Sequence, residues 1–170
     1  MSILFDKNHE MSMSKQDEKY MALASHYATL SEMRSRHGSV IVLHGSIVAW
    51  GFNHERNYSK DKLIGHPMSC HAEMSALRDA IRKLKLDPQK DRAIFKRMHL
   101  YVARRSSQNG YMDSKPCTHC YDKLKDIGVT RIMYSGQDES FYTMDVRAPQ
   151  HCTPSSGYQY QVRIQPLHKI

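Results

Sequence analysis

Two short motifs set the terms on which this chain can fold: His71-Ala-Glu73 and Pro116-Cys-Thr-His-Cys120. Cys117 and Cys120 lie about one helical turn apart, so a helix begun here carries both sulfurs on one side. A helix N-terminus offers unpaired N–H groups and a positive dipole end, which favour thiolate over thiol. Pro116 suits such a start, because it has no N–H to leave unbonded. From His71 to Leu86, Met74, Leu77, Ile81 and Leu84 recur three or four apart, an amphipathic helix with His71 at its head. If the two helix starts meet, His71, Cys117 and Cys120 supply three metal ligands. Three protein ligands with a fourth position left for water is the pattern of a catalytic zinc site. Glu73, two residues past the histidine, is the carboxylate placed to take a proton from that water and pass it on.

Other chemistries compete for the same residues. A C-x-x-C pair at a helix start also serves redox proteins, but there it follows the first strand of its domain, and here it comes late. A closed structural zinc site needs a fourth ligand, Cys70 or Cys152. Cys70 adjoins His71, and neighbouring residues seldom both reach one tetrahedral ion. Cys152 with His151 reads as an inert pair in a polar tail. No apolar run approaches the roughly 20 residues of a membrane helix, and Met1–Glu10 has no basic stretch followed by an apolar one. The expectation is a cytoplasmic chain with reduced cysteines and no membrane partner.

Around the motifs, Ser14 and Asp17 resemble a capping box before a helix over 15–33. Ser39–Leu43 and Ser46–Trp50 are β-branched runs joined by His44-Gly45, a hairpin. Residues 53–69 form a long polar loop. Further strands are expected at Met98–Ala103, Val129–Tyr134 and Phe141–Val146, with a short helix from Cys117 to Ile127 closed by Gly128. The stretch 106–114 is a polar insert with a turn at Asn109-Gly110. Tyr158–Ile164 alternates and reads as an added edge strand. The order of elements gives an α/β domain over 15–147, a five-stranded mixed sheet with helices on its faces. An N-terminal arm (1–14) and a polar C-terminal tail (148–170) flank it.

With both motifs in order and a strand between them, the chain resembles the zinc-dependent cytidine/deoxycytidylate deaminase superfamily, whose signature is H/C-x-E followed by P-C-x-x-C. Val40-Ile-Val-Leu43 and Ile47-Val-Ala-Trp-Gly-Phe-Asn53 match its first hairpin and the Gly-aromatic-Asn that follows. The resemblance covers about residues 15–147. It implies zinc (Zn2+) on His71, Cys117 and Cys120, catalysis by Glu73, and a homo-oligomer. It also implies that Asn53 bonds the sugar or base, that the Ala72 N–H meets the base carbonyl, and that the Lys115 C=O accepts from the departing amino group. Lys115 stands where many members have Glu or Ser. The short link after Tyr134 suggests an antiparallel hairpin, as in free-nucleoside deaminases. His71 as first ligand is more like the deoxycytidylate, tRNA-adenosine and polynucleotide enzymes.

The expected reaction is hydrolytic deamination of a cytosine nucleoside or nucleotide (cytidine, deoxycytidine, CMP or dCMP) to its uracil form. Lys and Arg exceed Asp and Glu by 25 to 17, a net +8, which suits phosphate. Arg104 and Arg105 are the candidates to meet it, and His54 and His66 are candidate base contacts. Phe52, Tyr101 and Tyr111 are stacking candidates, although aromatic residues in strands and turns are more often core. The charge leaves open a polynucleotide substrate, tRNA or single-stranded DNA. A zinc-binding module without catalysis is the remaining alternative, and Glu73 argues against it.

Overall fold

The computed structural model describes residues 13–65, 69–137 and 139–164. The chain runs α1 (Lys15–Ala28), β1 (Arg36–Leu43), β2 (Ser46–Phe52), α2 (Ala72–Leu84), α3 (Arg92–Phe95), β3 (Met98–Arg105), β4 (Tyr111–Met112), α4 (Thr118–Ile127), β5 (Arg131–Ser135), β6 (Phe141–Asp145) and α5 (Ser156–Ile164). One mixed sheet has the order β2-β1-β3-β5-β6, with β4 paired to β3. Only β3 and β5 are parallel, and a parallel pair needs a long crossover, which here contains α4. The expected α/β fold is present. The sixth strand is the two-residue β4, made when the polar insert folds back on β3, with Asn109 at φ 63 in the turn.

Side-chain alternation sorts the sheet into two faces. Val40, Val42, Tyr101, Ala103 and Met133 meet Tyr20, Met21 and Ala24 of α1. The opposite parity, including Ile41, Leu100, Val102 and Ile132, joins the larger core beneath α2, α3 and α4. Both helical layers come close because two strand glycines leave room. A Cβ on Gly38 would stand 2.2 Å from the Ala24 carbonyl oxygen of α1, and one on Gly51 would stand 2.4 Å from the Ala76 nitrogen of α2.

Two expectations need correction, and one element was not expected. The first helix ends at Ala28, short of residue 33, because the chain turns: Thr29 N–H bonds back to His26, and the Ser31 hydroxyl reaches across to the Asn53 carbonyl. The stretch 87–97 holds the one-turn α3, whose Phe95 is buried. The tail segment expected as an edge strand is the helix α5. Ser155 accepts from the N–H groups of Tyr158 and Gln159 at its start, and the spacing of Tyr158 and Val162 fits a helical turn as well as it fits alternation. No helix among the described residues is long and apolar enough to cross a membrane.

α2 ends on Lys85 in the left-handed region, φ 52, where a side chain is strained and glycine is not. Lys85→Gly is expected to stabilise the fold by about 0.5–1 kcal/mol, read as a higher urea midpoint. An unchanged or lower midpoint would mean that the terminus carries no such strain.

Candidate active site

Each ligand is fixed by backbone chemistry next to it. Before His71, the N–H groups and carbonyls of His54 and Cys70 bond reciprocally, at 3.1 and 2.9 Å. After it, the Ser39 hydroxyl donates to the Ala72 carbonyl at 2.7 Å, tying the first turn of α2 to β1. At α4, Cys117 is the N-cap. The next residue, Thr118, donates through its N–H to the Thr153 carbonyl and through its hydroxyl to Cys152, both at 3.0 Å. The C-terminal segment thus satisfies donors that a helix start leaves unbonded. Buried Ser114 and Ser135 exchange hydrogen bonds just ahead of Pro116. The Ser114 hydroxyl also donates to the Val102 carbonyl, which fixes the chain where it leaves the sheet.

These restraints bring the two helix starts together. The Cys117 sulfur lies 3.5 Å and the Cys120 sulfur 3.3 Å from His71 Nδ1. All three donor atoms lie within 4.8 Å of one another, the one such group among the described residues. Zinc bonds of about 2.3 Å to sulfur and 2.0–2.1 Å to nitrogen, set tetrahedrally, put N and S about 3.6 Å apart. The donors therefore stand close to the spacing that zinc asks for. His71, Cys117 and Cys120 can hold it, and Cys70 is outside the group.

The electrostatics suit a metal. Cys117 is held down to about 3 by the hydrogen bond from Cys120, with His71 adding to it against the cost of burial. Cys120 goes the other way, because it donates to Cys117 and is buried. Burial drives the Cys70 thiol up to about 12, with the Glu73 charge adding to it, so Cys70 stays protonated, 3.4 Å from the His71 carbonyl. Glu73, 4 % exposed in the first turn of α2, has its carboxyl pushed up by burial, partly offset by His71.

The remaining expected contacts are spread around this centre. Ala72 is the first residue of α2, so its N–H has no acceptor within the helix. Lys115 sits two residues before Cys117, its N–H on the Asp113 carboxylate at 3.0 Å. His54 lies at the bridge to Cys70, its ring edge-on to Phe52. Arg104 is half-buried on the α2 face of β3. Asn53 is buried with its side chain turned onto backbone: Oδ1 accepts from the His37 N–H at 2.7 Å, and Nδ2 donates to the Ser35 carbonyl at 2.6 Å. Tyr101 is on the α1 face, bonded to Asp17. Tyr111 packs edge-on against Phe141, beneath the guanidinium of Arg105. His66 lies outside the described residues.

One residue near the centre has no counterpart in the sequence reading. His37, paired with Arg104 across β1 and β3, feels the charges of His71 and Cys117. The signal was parity with Ser39 and Ile41. It went unread because Arg36-His-Gly38 lacks the β-branched residues that mark a strand.

Residues 14–136 match the family described as the cytidine and deoxycytidylate deaminase zinc-binding region. No curated protein matches in sequence. Among solved structures, the dCMP deaminase of cyanophage S-TIM5 in apo form is 24 % identical with a TM-score of 0.52, covering 74 % of this chain and 86 % of that one. Its complex with dCMP and dUMP is 23 % identical with a TM-score of 0.52, covering 74 % and 85 %. The cytidine deaminase of Burkholderia pseudomallei is 15 % identical with a TM-score of 0.56, covering 79 % and 94 %. These likenesses show a common fold.

Proposed function

Since this chain belongs to the cytidine and deoxycytidylate deaminase family, we propose that it hydrolyses the exocyclic amino group of a cytosine nucleoside or nucleotide, consuming water and releasing the uracil form and ammonia. The observation that carries this is a buried carboxylate, Glu73, in the same helix turn that presents His71 to the two cysteines. When bound, zinc supplies the acidity that makes water a nucleophile near neutral pH. Everything else falls to the chain. Glu73 takes the water's proton, hands it to the ring nitrogen and then serves the leaving amine, which a single carboxylate can do from one position. Burial raises its proton affinity. The Ala72 N–H holds the base carbonyl, and the Lys115 carbonyl accepts from the amino group.

Arg104, half-buried on the same face of the sheet, is assigned to a nucleotide phosphate. Arg104→Ala is expected to raise KM for CMP and dCMP about tenfold, the size of one charge-assisted contact, with cytidine kinetics unchanged. Equal losses on all of these would remove Arg104 from that role. The assembly proposed is a homo-oligomer, which sedimentation of the zinc-loaded protein reads directly.

One observation favours a polymeric substrate as the second reading. Tyr27 stacks on half-exposed Trp50 at 4.4 Å, Trp50 on Phe52 at 6.4 Å, and Phe52 meets His54 beside Cys70. On a basic protein such rings offer bases a stacking surface, here on the α1 side of the sheet, where Phe52 is the register partner of Gly38. Affinity for single-stranded DNA or tRNA that falls steeply with salt would support it. Ammonia release from free nucleosides alone would count against it.

A further inference from the structure

On the face of the sheet that carries the metal group, three polar residues lie in one row across adjacent strands: Asn53 just past β2, His37 on β1 and Arg104 on β3. Their order is fixed by the backbone. Asn53 N–H donates to the His37 carbonyl at 3.1 Å, and His37 is the register partner of Arg104. Their face is fixed by parity. His37 alternates with Gly38, whose missing side chain faces α1, and shares parity with Ser39, whose hydroxyl bonds α2. His37 stands about 7 Å along β1 from Ser39, two residues of strand rise. It is near enough to the centre to feel His71 and Cys117.

The chemistry of the ring follows from its neighbours. His37 Nδ1 lies 3.2 Å from the Ser35 carbonyl oxygen, which can only accept, so Nδ1 carries the proton and Nε2 is left as an acceptor. Burial, with Arg104 and His71 adding to it, holds the imidazole down to about 4, so the ring is neutral at working pH. Asn53 fixes this arrangement from both ends, because it bonds the Ser35 carbonyl and the His37 N–H together.

An acceptor here has few possible partners. A cytosine nucleoside offers its ring nitrogen and base carbonyl as acceptors, which an acceptor cannot bond. Its donors are the amino group that is lost at the centre and the hydroxyls of the sugar on the far side of the ring. Resting on the functional reading above, we propose that His37 is a specificity-determining residue whose Nε2 accepts a hydrogen bond from the 2′- or 3′-hydroxyl of the sugar, with Asn53 as its positioning residue. The residue expected to bond the sugar directly, Asn53, then acts through His37.

The test is the ratio of kcat/KM for cytidine over 2′,3′-dideoxycytidine, measured on zinc-loaded wild type, His37→Phe and His37→Gln. A site built to bond a hydroxyl rejects the analogue that lacks it, so wild type should favour cytidine by a factor of about 10 or more. His37→Phe keeps a flat ring without an acceptor and should bring the ratio to about 1. His37→Gln restores a carbonyl acceptor and should recover part of the preference. A general loss of folding lowers both substrates together and leaves the ratio in place. If His37→Phe does not load zinc, His37→Val is read in the same way. A ratio unchanged in the variant that loads zinc overturns the role of His37 and leaves the deaminase reading standing. If wild type deaminates neither compound nor any other cytosine nucleoside or nucleotide, the functional reading falls and the His37 proposal falls with it.

Discussion

Cys120→Ser protein is expected to fold, to lose zinc on dialysis, and to release no ammonia from any substrate. Cys120 is fully buried on the inner side of α4, 3.3 Å from His71 Nδ1. A serine hydroxyl is a poor zinc ligand beside a thiolate. Removing even a partner that orients a ligand costs 10–100-fold in metal affinity, so removing the ligand should cost at least about 100-fold. The core around Leu124 and Ile127 loses little volume, so the circular dichroism spectrum should persist while zinc content falls. Full zinc retention in Cys120→Ser would mean that the metal is held elsewhere.

Glu73→Gln separates metal binding from chemistry. The two side chains match in shape, and Glu73 is not one of the three donors, so zinc content should equal wild type. A buried amide can hold a water in place but cannot take its proton. General acid–base groups contribute about 10²–10⁴-fold, and kcat should fall by that amount with KM little changed. The loss is expected at the upper end, because one carboxylate serves every proton transfer. A Gln variant within about threefold of wild type, well inside that range, would place the base on another residue.

The metal group was legible because its signals are local. The two helix starts are marked by Pro116 and by the apolar periodicity that follows His71, and a one-turn spacing of sulfurs needs no knowledge of the partner strand. The hairpin at His44-Gly45 and the antiparallel pairing of β5 with β6 were readable from turn chemistry and loop length for the same reason. The misread parts depend on tertiary partners. Tyr158–Ile164 satisfies two periodicities at once, and its helical state is seen in the bonds at Ser155. Residues 29–33 leave the helix because Ser31 finds the Asn53 carbonyl on a strand distant in sequence. His37 was missed because the extent of β1 shows only in its pairing with Arg104 and Arg105. Asn53 could be placed near the sugar by resemblance, but that its side chain bonds backbone on both sides is a matter of geometry.

Whether this chain is a cytosine deaminase is decided by ammonia release and uracil-product formation by the zinc-loaded wild-type chain on cytidine, deoxycytidine, CMP, dCMP, adenosine, guanine, a single-stranded oligonucleotide and tRNA. One ammonia per uracil product is expected from at least one free cytosine compound, and none from the purines. A protein carrying one zinc per chain that releases no ammonia from any of the cytosine nucleosides or nucleotides would contradict it.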